Sequence, residues 1–119
     1  MANPAHTRII LSKGKNSNST SGSLVSQYEF DPADHTYTIA EFRAVFATTN
    51  PSFSASVELF NLASDSYDVI LSGSSVDAEV SASLLTLPTG STIFEVRISS
   101  EDVSANCILG SAELVLTGS

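Results

Sequence analysis

The chain has 119 residues and a mass of 12.5 kDa, with 42% apolar and 15% charged side chains, which fits one ordinary domain and leaves little room for a second. Its single cysteine excludes an internal disulfide framework, and no apolar run approaches the length of a membrane span. The net charge of −8 is unevenly placed: residues 1–28 hold Arg8, Lys13 and Lys15 with no acid (+3), whereas residues 29–119 set Arg43 and Arg97 against thirteen acids (−11).

The chain opens on MANPAHTRIILSKGK, where Pro4, His6 and Arg8 interrupt any secretion signal, so a soluble protein made in a cytoplasm is expected. Thr7 to Leu11 is a first candidate strand, with Ile9 and Leu11 on one face and Arg8 and Ile10 on the other. From Ser12 to Ser26 the sequence is rich in Ser, Asn and Gly, too poor in apolar groups to offset the entropy of ordering it alone. These features predict an extended N-terminal arm over residues 1–23 and a folded domain over 24–119. The acidic body repels nucleic acid, and the basic arm is expected to lie on protein.

Beyond the arm, apolar residues recur with period two. Leu24 to Phe30 is a candidate strand, and in Tyr37 to Thr48 the set Ala40, Phe42, Ala44 and Phe46 shares one face while Glu41 and Arg43 take the other. The same alternation predicts inward faces at Ala55, Val57 and Leu59, at Val69 and Leu71, and at Val80, Ala82 and Leu84. It recurs at Phe94, Val96 and Ile98, and at Ala112, Leu114 and Leu116. Asp31-Pro32, Asn50-Pro51, Ser72-Gly73, Pro88-Thr89-Gly90 and Gly110 punctuate these runs as turn signals. The pattern predicts an all-β fold, an antiparallel β-sandwich of jelly-roll type.

Catalytic and metal signatures are weak. His35 sits in DPADH, where Asp31 and Asp34 could complete a metal site, but this is also ordinary turn chemistry. No serine lies in a G-x-S-x-G elbow, and Gly14-Lys15-Asn16-Ser17 lacks the other parts of a phosphate loop. The pairs Glu101-Asp102 and Asp65 with Asp68 fall in predicted loops, where solvated acids are usual and a calcium role is the sharper alternative. Cys107, flanked by Ala105 and Ile108, reads as a small buried side chain. With no Trp and three Tyr (Tyr28, Tyr37, Tyr67), a glycan platform has little to be built from. No catalytic residue, cofactor or metal is expected.

The stretches TYTIAEFRAVFATTNPSFSASVELFNLAS, LTLPTGSTIFEVRISS and GSAELVLTG resemble a β-sandwich module of tailed-bacteriophage structural proteins, over about the last eighty residues. The resemblance implies a head decoration (cement) or tail-associated protein, a trimer or other symmetric assembly, located on the virion and bound to the major capsid protein of the shell. In that setting Arg8, Ile9, Leu11, Lys13 and Lys15 are the expected arm contacts, Ile9 and Leu11 docking into an intersubunit or shell groove while the cations meet acids. A tail or baseplate module and a carbohydrate-binding β-sandwich are the alternatives; neither nucleic acid nor membrane is an expected partner.

Overall fold

A computed structural model describes residues 6–34, 39–86 and 88–117. Eight strands run in chain order: β1 (His6–Ser17), β2 (Ser23–Phe30), β3 (Ile39–Thr48), β4 (Ala55–Asn61), β5 (Ser66–Gly73), β6 (Glu79–Leu85), β7 (Thr92–Ser100) and β8 (Cys107–Thr117). One turn of 3₁₀ helix at Pro32–Asp34 follows β2, closed by Asp31, whose carboxylate accepts from the Ala33 N–H at 3.0 Å. This is the Asx-type turn expected of Asp-Pro; His35 and Tyr37 lie outside the described residues.

The strands form two antiparallel four-stranded sheets, sheet A in the order β1-β8-β3-β6 and sheet B in the order β2-β7-β4-β5. Pairing is nested: β4 with β5, β3 with β6, β2 with β7 and β1 with β8. A long hairpin rolled over itself in this way is a jelly roll, the predicted architecture. The inward side chains of the two sheets meet in one core, in which Phe42, Leu114 and Leu116 of sheet A and Val57, Leu59 and Ile98 of sheet B are fully buried. Phe30 and Phe94 pack at a ring separation of 5.7 Å beside them.

Two expectations fail against this structure. The segment read as an extended arm over residues 1–23, with a candidate strand at Thr7 to Leu11 expected to dock on a neighbour, becomes from His6 onward an integral strand of its own chain, β1, in register with β8 from His6↔Thr117 to Ser17↔Cys107. Ladder hydrogen bonds come from the backbone, so a Ser- and Asn-rich sequence can form them as well as an apolar one once a neighbouring edge is available. Polar side chains hold the following turn: Ser17 Oγ meets Ser23 Oγ at 2.7 Å, and Asn18 Nδ2 donates to the Val103 carbonyl at 3.2 Å. The second failure is the phase of β6. Register with β3 aligns Phe42 with Ser83 and Ala44 with Ser81, so Ser81 and Ser83 take the core side. Val80 and Leu84 therefore stand outside, 64% and 72% exposed.

Candidate interaction surfaces

Among the described residues, polar and apolar groups are brought together on the two outer faces of the sandwich and in an open cleft at one end of it. The outer face of sheet A is built in rows that cross all four strands. One row is Arg8, Val115, Glu41 and Leu84; the next is Ile10, Glu113, Arg43 and Ala82; a third is Lys13, Ser111, Val45 and Val80. Arg43 donates through Nε and Nη2 to Glu41 Oε1 at 3.1 and 2.7 Å, and Arg8 lies 3.9 Å from Glu113. Around these pairs Ile10, Ile39, Val80 and Leu84 are all more than half exposed. Three cations and two acids leave this face at +1, and the rest of the chain at −9.

The residues expected as arm contacts are divided between the two sides of β1. Leu11 is buried in the chain's own core and Ile9 packs against it, so neither is available to a neighbour's groove. Leu11 sits at a β-bulge, since Ile10 pairs with Glu113 and Ser12 with Ala112. Arg8 meets an acid, Glu113, but of its own chain; Lys15 donates to the Leu24 carbonyl at 3.2 Å, bridging β1 to β2; Lys13 is exposed on the outer face.

Sheet B carries a compact polar and aromatic cluster that the sequence did not single out. Gln27, Glu95, Phe60 and Tyr67 form one row across it, with Arg97 in the adjoining row. The Arg97 guanidinium lies 3.9 Å from the Phe60 ring centroid, donates to Glu95 Oε1 at 2.6 Å through Nη2, and donates to the Tyr67 hydroxyl at 3.2 Å. Gln27 donates to the other Glu95 oxygen at 2.6 Å; that bond, followed by those from Arg97, holds the Glu95 carboxyl below its ordinary range. The same exchange pushes Arg97 further up. Glu95 and Arg97 are two apart on one strand and so share a face, the signal from which the pair could have been read. Gln27, Glu95, Arg97 and Tyr67 are thus joined by hydrogen bonds to one another, and Tyr67 is the exposed ring of the cluster at 42%.

At one end of the sandwich Asn61, Ser64, Ser66, Asp68, Thr89 and Ser91 line an open cleft of about 450 Å³. Asn61 donates to Asp68 at 3.1 Å and accepts from the Thr92 hydroxyl, which ties the β4–β5 turn to the start of β7. Asp65 there adopts a left-handed conformation at φ 53°, which Asp tolerates in turns. The alternative calcium reading of Asp65 with Asp68, and that of Glu101 with Asp102, gains no third ligand: among the described residues no three His, Cys, Asp or Glu side chains converge as metal ligands. Asp102 instead accepts from the Ser104 N–H at 2.9 Å, which lowers its carboxyl. Cys107 is fully buried, as expected, and burial pushes its thiol up to about 11. Tyr28 packs against the core rather than opening to solvent, and no helix among the described residues is long and apolar enough to cross a membrane.

No family model and no curated protein matches the chain. Solved structures do. The CBM36-1 domain of a multidomain xylanase from the hindgut metagenome of Trinervitermes trinervoides aligns at a TM-score of 0.63 and 11% identity, over 97% of this chain and 98% of that one. A CBM36 carbohydrate-binding module in complex with calcium and xylotriose aligns at 0.59 and 12% identity, over 94% and 99%. The VP2 subviral particle of infectious bursal disease virus aligns at 0.57 and 13% identity, over 97% of this chain but 33% of VP2. At such identities the likeness establishes the jelly-roll β-sandwich and nothing finer.

Proposed function

We propose that the chain is a non-catalytic structural subunit of a virion, a decoration (cement) protein that binds the outer head shell. The observation that carries this reading is the outer face of sheet A, where four large aliphatic side chains stand exposed around ion pairs on a face of charge +1 in an acidic molecule. Exposed apolar side chains gathered on one face and interleaved with ion pairs are the composition of a protein contact. The face brings this acidic chain to a protein partner without charge repulsion, and the ion pairs fix orientation. The VP2 likeness is in keeping with a shell location, as is the resemblance to tailed-bacteriophage structural proteins.

A second reading, a carbohydrate-binding module, is favoured by the hydroxyl- and carboxylate-lined cleft at Asn61, Asp68 and Ser91, whose volume suits one or two sugar rings, and by the CBM36 likeness. Co-sedimentation separates the two. The chain is expected to sediment with emptied tailed-phage heads and not with insoluble xylan or cellulose, and Leu84→Glu is expected to reduce head binding at least tenfold. Retention on polysaccharide with no attachment to heads overturns the first reading in favour of the second.

A further inference from the structure

A sandwich of two open sheets has four edge strands, here β1, β2, β5 and β6, each with a row of backbone groups facing away from its neighbour. Folded proteins blunt such edges with bulges, lysines or prolines, because an open ladder recruits further strands. Three of these edges are blunted. β1 has the Leu11 bulge together with Lys13 and Lys15; β2 shifts register between Leu24 and Ser26; β5 shifts opposite Leu59 and Phe60, with Asp68 as its extra residue. β6 has none of these devices. Its seven residues pair with β3 in one unbroken register, and it contains no Pro, no Lys or Arg, and one charge, Glu79, at its first position.

The side chains of β6 point the same way. Val80, Ala82 and Leu84 are turned out of the core, on the outer face of sheet A, where among the described residues nothing covers the hydrophobic pattern of the strand. We propose that β6 is a pairing edge occupied by β6 of a second copy of this chain, antiparallel about a two-fold axis at Ala82, which joins the two copies of sheet A into one eight-stranded sheet.

The sequence of the strand is complementary to itself in this register. Ala82 faces the partner's Ala82, Val80 faces the partner's Leu84, and Ser81 faces the partner's Ser83, so apolar side chains meet on the outer face and hydroxyls on the other. Glu79 falls opposite the partner's Leu85, not opposite its own copy. The two Glu79 residues are six residue steps apart, roughly 20 Å at about 3.4 Å per residue, some two screening lengths at physiological salt. A chain of net charge −8 thus meets itself where charge is nearly absent. An isologous contact of this kind closes at two copies. The two-fold differs from the trimer implied by the family resemblance. The inference goes beyond shell binding, since it needs only a second copy.

Light scattering on the full chain tests it. The expected native mass is twice 12.5 kDa. Ala82→Lys and Ala82→Glu each place like charges face to face on the axis and are expected to halve that mass. An equimolar mixture of the two variants is expected to restore it, because Lys then faces Glu; circular dichroism confirms that each variant remains folded. Hydrogen exchange is expected to protect β6 amides in the parent and not in either variant. A parent that stays monomeric at high concentration, a trimer, a dimer that survives both substitutions, or a mixture that stays monomeric overturns the proposal. Protection of β6 only when phage heads are added also overturns it, assigning the edge to a shell strand. Head binding by monomeric Ala82→Lys is scored separately, so loss of the dimer and loss of shell attachment are distinguishable.

Discussion

Gly110 shows how one position sets the line of two strands. β8 pairs with β3 through Val45↔Ser111 and then Phe46↔Leu109, so Gly110 is the extra residue of a bulge, and a Cβ there would come within 3.2 Å of the Val45 carbonyl oxygen. Gly110→Ala is expected to lower stability by about 1–2 kcal/mol in urea unfolding, with unchanged slope. The Cys107 thiol stays protonated at neutral pH, so a thiol reagent is expected to label the chain in denaturant and not in the native state. The sign with pH follows: the raised value leaves stability intact below the ordinary 9.0 and removes it as pH climbs from there towards 11, because the unfolded chain ionises first. Glu95 behaves oppositely. Its depressed carboxyl adds stability above the ordinary 4.5 that disappears as pH falls through the folded value. Unfolding midpoints measured between pH 7 and pH 3 are therefore expected to fall more steeply for the parent than for Glu95→Gln.

At the scale of strands, the period of the hydrophobic pattern was readable almost everywhere, and its phase failed at β6. In β3, β4, β7 and β8 one alternating set is clearly larger than the other, and those sets are the ones inside. In β6 the sets Val80-Ala82-Leu84 and Ser81-Ser83-Leu85 each end in leucine, and the partner strand decides between them: Phe42 and Phe46 already fill the core side opposite. Serine replacements check this. In the monomeric Ala82→Lys background, Val80→Ser and Leu84→Ser are expected to change stability by less than about 0.5 kcal/mol, against about 2–5 for Leu114→Ala in the core. β1 was read only in part, as Thr7 to Leu11, for a different reason: beyond Leu11 its composition is that of a linker, and nothing local announces a partner a hundred residues away. Deleting residues 1–17 is expected to cost more than about 3 kcal/mol in thermal or denaturant unfolding, since it strips Leu11 and Ile9 from the core and uncovers the edge of β8. A dangling arm would come off without effect.

For the molecule as a whole, the β-sandwich was legible from residue patterns, whereas the surfaces were not, because they arise from register between strands distant in sequence. The Arg97 cluster joins residues from β2, β4, β5 and β7, and the apolar face joins β1, β3, β6 and β8. The nested pairing also dictates an order of assembly on the ribosome. The innermost pair, β4 with β5, closes after a turn of a few residues, and each later pair encloses the one before it. Both β1 and β3 must wait for β8, the last strand made, before sheet A is complete. During synthesis the first strand therefore emerges long before its mate, and its polar, lysine-bearing sequence keeps it from adhering to other nascent chains meanwhile.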